Sequence, residues 1–151
     1  KNIRGNVQTS LCKLEHEEYE ATVLALAGLK RRGMAGLVSR IFSVDEMIPS
    51  AGQGILAVQG RKGEKIPGIE AVDCSDSRFA AKAERGFVRY LNGGCTSPVA
   101  AYAETSGNEI RIRGLYYHEE SGQFEAGMIF GEKHKGEILA ERLARSLKGR
   151  F

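Results

Sequence analysis

Apolar residues change their spacing along this chain, and each spacing predicts a different element. Val7, Leu11 and Leu14 recur at the interval of one helical face and predict a short helix over Asn6 to Leu14. The acidic stretch Glu15 to Glu18 reads as a solvated turn. Ala21 to Ala27 is a continuous apolar run of strand length, as for a strand covered on both faces. Gly28 breaks it, and Leu29 to Arg32 begins a helical turn. A turn-rich loop, Pro49 to Gly54, precedes a second apolar strand from Ile55 to Val58. Arg61 to Gly68 is polar and carries both glycine and proline, so a domain boundary is expected there.

The second half of the chain has a clearer rhythm. Ser75 or Asp76 can cap a helix whose apolar face is Phe79, Ala83, Phe87, Tyr90 and Leu91. Asn92-Gly93-Gly94 ends it, because glycine accepts the left-handed conformation beyond a helix C-terminus. Three strands follow, Val99 to Thr105, Glu109 to Tyr117 and Phe124 to Gly131. Ser106 to Asn108 and Glu119 to Gly122 supply the turns. Ile110 and Ile112 alternate with Arg111 and Arg113, which marks a sheet with one wet face. A last helix, Glu137 to Lys148, turns Ile138, Leu139, Leu143 and Leu147 inward and carries Arg145 and Lys148 at the negative end of its dipole.

Composition narrows the classes. A chain of 151 residues, 42% hydrophobic and 27% charged, has what one core or two small ones need. No apolar run approaches the roughly 20 residues that span a bilayer, no signal segment opens the chain, and a cytoplasmic protein with no membrane partner is expected. The formal charge of +3 is mild, and apart from Lys30-Arg31-Arg32 the cations are scattered, so a small anionic ligand is favoured over nucleic acid. Cys12, Cys74 and Cys95 are odd in number and far apart, which fits neither a disulfide framework nor a metal site. Cys12 reads as core or boundary, Cys74 as structural, and His16, His118 and His134 as solvated. The opening on Lys1 suggests a fragment or a processed chain.

Two constellations carry candidate chemistry. Cys95 sits in Leu91-Asn-Gly-Gly-Cys-Thr-Ser-Pro-Val99, just past a helix end. A small buried cysteine in a tight turn is the bland reading. Two glycines before the sulfur favour another, since they clear side chains from the path of a bulky adduct. Arg4 in Arg4-Gly-Asn-Val-Gln-Thr9 and Lys30 and Arg31 in Gly28-Leu-Lys-Arg31 form the second group. Guanidinium forks from separate loops suit a ligand with several carboxylates, although most arginines only form surface ion pairs. The glycines flanking Gln53 let backbone approach something large.

Arg4-Gly-Asn-Val-Gln-Thr9, Ala27-Gly-Leu-Lys-Arg31, Pro49-Ser-Ala-Gly-Gln-Gly54 and Leu91-Asn-Gly-Gly-Cys95 with Pro98 occur in the order and spacing of the porphobilinogen deaminases. The chain resembles the C-terminal half of that family. The resemblance implies an α/β and α+β architecture. Residues 1–54 would be the later part of a second, periplasmic-binding-protein-like α/β domain, and residues 55–70 a strand and linker returning to the first domain. Residues 71–151 would be a small α+β domain with a three-stranded antiparallel sheet, helices on one side, and the cofactor anchor.

It also implies a mechanism. Cys95 would hold a dipyrromethane cofactor by a thioether, with Arg4, Arg31, Gln53 and Gly54 beside it. Arg4, Arg31 and Lys30 would bind porphobilinogen and the polypyrrole intermediates. Four porphobilinogen units would be joined with loss of ammonia into hydroxymethylbilane. Each pyrrole carries two carboxylates, and unpaired carboxylates withdrawn from water cost several kcal/mol apiece, hence the arginines. Two departures stand out. Ser10 replaces a family arginine, a loss of about 1.5–3 kcal/mol of charge-assisted contact. The family's catalytic aspartate lies upstream of Lys1, so no catalytic residue is expected in this chain, which alone would be inactive. The expected partner is the N-terminal half, and the whole enzyme is expected to be a monomer. The competing readings are a non-catalytic fragment that binds an anionic pyrrole or the missing half, and a structural α+β domain whose motifs are relics.

Overall fold

The computed structural model describes residues 3, 5–16, 19–92 and 98–150; Arg4, Gly93, Gly94 and Cys95 lie outside the described residues. The chain divides into two compact units, Lys1–Ser43 and Val44–Phe151.

In the first unit, α1 spans Val7–His16 and α2 spans Leu26–Arg31, followed by a 3-10 turn at Ala35–Leu37. Asn6 starts α1. Its side-chain oxygen accepts the Thr9 N–H at 2.9 Å and the Thr9 hydroxyl at 3.0 Å, satisfying a donor that the first helical turn leaves open. The strand expected over Ala21 to Ala27 is not formed. Residues 21–25 have no regular structure, and α2 begins inside the predicted run. The strand expected over Ile55 to Val58, in the second unit, is also absent. A strand is held by hydrogen bonds to a neighbour, and the only sheet among the described residues is the one formed by residues 99–132. Several apolar side chains of the two runs are correspondingly exposed, Val23, Leu56 and Val58 among them, Leu56 by 81%, while Leu24, Leu26 and Ile55 are half-buried.

The second unit is built on α3 (Ser75–Tyr90), β1 (Val99–Ser106), β2 (Glu109–His118), β3 (Gln123–Glu132) and α4 (Gly136–Lys148). The sheet is antiparallel in the order β1-β2-β3. Its first hairpin turns on Gly107 and Asn108 alone, with Gly107 at φ 58°, the conformation that a two-residue hairpin asks of glycine. Both helices cover one face. Ala101, Ala103, Ile110 and Ile112 of that face meet Ala83, Phe87, Leu139, Leu143 and Leu147 in a single core. Glycines let the helices come close. A Cβ on Gly114 would lie 2.5 Å from Phe87 Cζ, and one on Gly131 would lie 2.9 Å from Leu139 Cδ1. The small α+β domain expected from the sequence is therefore present, with its helices on one side of the sheet.

Three local readings change. Cys74, not Ser75 or Asp76, holds the N-cap position of α3, and no side chain caps it; Asp76 instead binds Lys133 Nζ at 2.8 Å. Asn92, at φ 54°, takes up the left-handed conformation expected of the glycines after it. Ile138 is exposed on α4, because the inward stripe runs through Leu139, Leu143 and Leu147.

Candidate functional site

The Pro49–Gly54 loop is the best defined part of the candidate site. Gln53 N–H donates to Ser50 O and Ile55 N–H to Gly52 O, each at 3.1 Å, so the segment is two tight turns in succession. Gly52 has φ 78°, which only glycine adopts freely. Gln53 and Gly54 are exposed, and a Cβ built on Gly52 or Gly54 meets nothing within 4 Å. The backbone at both glycines is open to approach.

What holds this loop is a side chain that sequence reasoning passed over. Glu84, on α3, is 3% exposed. Its Oε2 accepts the Gly52 N–H at 2.6 Å and its Oε1 accepts the Ala103 N–H of edge strand β1 at 2.9 Å. Burial pushes the Glu84 carboxyl above its ordinary value, and the two N–H donors pull it partly back. Removing the acceptor would strand two donors, at about 1–3 kcal/mol for each that stays buried. A signal was present, because Ala80, Glu84, Phe87 and Leu91 share one helical stripe in which Glu84 is the lone charge.

A second tie lies seven residues earlier. Arg113 is 7% exposed, although its alternation with Ile112 predicts a wet position. Its Nε donates to Asp45 Oδ1 and its Nη1 to Glu104 Oε2, each at 2.5 Å. The Arg113 guanidinium in turn holds the Asp45 carboxyl below its usual range. Asp45 and Gly52 are thus fixed from β2 and α3 on either side of Pro49.

Cys95 and Arg4 lie outside the described residues, but both ends of the Cys95 loop are firm. Leu91 is buried in the core, Val99 packs against that core, and Arg145 Nε donates to Tyr90 OH at 3.1 Å beside the end of α3. A hollow of about 280 Å³ touches Leu91 and Pro98 and extends over Tyr116, Tyr117 and His118 to Glu119 and Glu120. Its two carboxylates disfavour an anionic ligand there.

In the first unit, Lys30 and Arg31 occupy the last turn of α2, exposed, with no ion pair to a described residue. Ser10 is buried at 4% exposure, so the position that replaces the family arginine suits a small hydroxyl and would force a guanidinium outward. Cys12 is exposed, not core, and Cys74 is exposed at the start of α3, where the Ser77 hydroxyl and backbone N–H lower its thiol pKa. The histidines bind locally: His16 to the Cys12 carbonyl at 2.9 Å, His118 to Ser121, and His134 to Glu132. Among the described residues no cluster could hold a metal ion, and no helix is long and apolar enough to cross a membrane.

Taken unit by unit, Lys30 and Arg31 of the first are exposed cations, and Gln53 and Gly54 of the second offer an exposed amide and open backbone, which are donors of the kind that the carboxylates of a dipyrromethane would need.

Comparison with known proteins agrees. Residues 1–66 match the family model described as porphobilinogen deaminase, dipyromethane cofactor binding domain, and residues 78–149 match the porphobilinogen deaminase C-terminal domain. Arg4, Lys30, Arg31, Gln53 and Gly54 fall in the first match and Cys95 in the second. A porphobilinogen deaminase of Ruminiclostridium josui is 45% identical over 146 residues, covering 97% of this chain and 50% of that protein. One from Alkaliphilus oremlandii is 45% identical over 147 residues, with 97% and 49% covered. One from Nitrobacter hamburgensis is 36% identical over 150 residues, with 98% and 48% covered. The chain spans about half the length of the curated relatives it matches. With four motifs in register and two family domains matched in order, the chain belongs to the porphobilinogen deaminase family.

Proposed function

We propose that this chain is the cofactor-bearing portion of a hydroxymethylbilane synthase, a deaminating transferase of tetrapyrrole biosynthesis. The observation that supports the reading is that the motif Leu91-Asn-Gly-Gly-Cys95 falls in sequence between α3 and β1 within the matched C-terminal domain, with Leu91 before it in the core and Val99 after it packed against that core. Cys95 would hold dipyrromethane through a thioether, and the group would supply the primer for condensing four porphobilinogen units with loss of ammonia and hydrolytic release of the linear product.

The chain's own residues anchor and neutralise. Arg4 and Arg31 pair with pyrrole carboxylates on the cofactor and on incoming substrate, and Lys30 adds a point charge to the substrate side. Gln53 and Gly54 lie along the cofactor, Gly54 leaving its approach open. Residues 1–54 then belong to a second, periplasmic-binding-protein-like domain, residues 55–70 to the segment returning to the first, and residues 71–151 to the anchoring domain. The N-terminal half of the enzyme is the partner and supplies the catalytic acid. The whole enzyme works as a cytoplasmic monomer.

Chain made in cells that synthesise porphobilinogen is expected to carry a dipyrromethane adduct by intact mass, lost in Cys95→Ala. Mixing it with the N-terminal half should then restore porphobilinogen consumption. An unmodified wild-type protein in the presence of that half would overturn the reading. An adduct without turnover would favour the second reading, a non-catalytic pyrrole-binding fragment, for which the half-length match to the relatives speaks.

A further inference from the structure

We propose that Glu84 is a positioning residue for the cofactor site, its buried side chain clasping the Pro49–Gly54 loop to the cysteine-bearing domain through the Gly52 N–H and Ala103 N–H. The inference rests on the cofactor reading above for its consequence, and on geometry alone for the clasp itself.

Three observations converge on the clasp. Glu84 is 3% exposed and spends its two oxygens on two backbone donors, one from the loop and one from β1. The two donors belong to different family regions, Gly52 to the match over residues 1–66 and Ala103 to the match over residues 78–149. Arg113 repeats the arrangement upstream by holding Asp45. The loop that presents Gln53 is therefore fastened at Gly52, and the chain leading into it at Asp45, to the domain whose helix and first strand bracket Cys95.

Glu84 stands on α3 eleven residues before Cys95, and Ala103 stands on β1 eight residues after it. One carboxylate thus fixes the loop to both elements that carry the thiol. A shift of α3 against β1 would move the loop with them. Through Glu84 the Gln53 loop keeps its register with α3 and β1, the elements that flank Cys95 in sequence, and the carboxylate need not touch the pyrrole at all.

Glutamine in place of Glu84 is nearly isosteric but presents an NH2 to one of the two N–H donors. In the 151-residue chain, amide exchange at Gly52 is expected to be protected in wild type and at least tenfold faster in Glu84→Gln, with the α3 amide of Phe87 unchanged. Wild-type exchange at the free-peptide rate overturns the clasp whatever the variant does, and so does equal protection in wild type and variant. In chain joined with its N-terminal half, Glu84→Gln should keep the Cys95 adduct mass yet lower kcat at least tenfold, with Glu84→Asp recovering part of it. Full turnover in Glu84→Gln overturns the positioning role. A wild-type enzyme without adduct overturns the cofactor reading and the role with it, while Gly52 exchange still judges the clasp.

Discussion

At the scale of single residues, Glu84 and Arg113 show how much a charge on an apolar stripe can hold. Each occupies a position where the spacing of its neighbours predicts either core or solvent, and each is buried because its partners are backbone or carboxylate groups close at hand. Burial raises the Glu84 carboxyl above its ordinary 4.5, so the folded state binds the proton more tightly than the unfolded chain. The stability tied to that proton is complete below 4.5 and is lost as pH rises through the raised value. Glu84→Gln lacks this titration. The stability of the variant relative to wild type should therefore improve from about pH 4 to about pH 7, as read from urea midpoints at the two pH values. A constant difference across the range would remove the buried charge from the account. Sequence alone pointed to the cations and to the glycine-flanked Gln53, because their chemistry is local. It passed over Glu84, whose meaning depends on Gly52 and Ala103 arriving from elsewhere in the chain.

Elements were legible in proportion to how much of their pairing is local. The three strands read from alternation and turn residues match the structure to within one residue at each end, because hairpin neighbours are supplied a few positions away. The apolar runs at 21–27 and 55–58 read as strands for the same compositional reasons, yet neither pairs with a strand among the described residues. Helix faces were read correctly except where one position shifts the stripe, as at Ile138. Close packing of the helices on the sheet was not legible at all, since a glycine in a strand pattern has several meanings. Gly114 lies against the Phe87 ring, so Gly114→Ala should cost about 1–3 kcal/mol by overpacking, measured by urea denaturation. Gly36→Ala, where nothing lies within 4 Å, serves as the neutral control. Equal effects in the two variants would mean that Phe87 moves aside freely.

For the whole molecule, the exposed Val23, Leu56 and Val58 and the half-length match to relatives point the same way. If the upstream half supplies strands beside residues 21–27 and 55–58, the amides of Val23, Leu56 and Val58 should gain protection when the two halves are mixed, while β2 amides stay as they were. No gain at these positions would leave the runs without a sheet to join.

The buried Leu91 and the strand start at Val99 also set a leash for the thiol. Four peptide units separate Leu91 from Cys95, and four more reach Val99. At about 3.3–3.6 Å per residue, the sulfur's backbone can stray no more than about 14 Å from either post. If, as proposed, a polymer is lengthened from that point, its origin cannot travel along as it grows, and its root stays within that radius of both posts. Each added ring would then have to be taken in by coiling of the product or by the surrounding walls giving way.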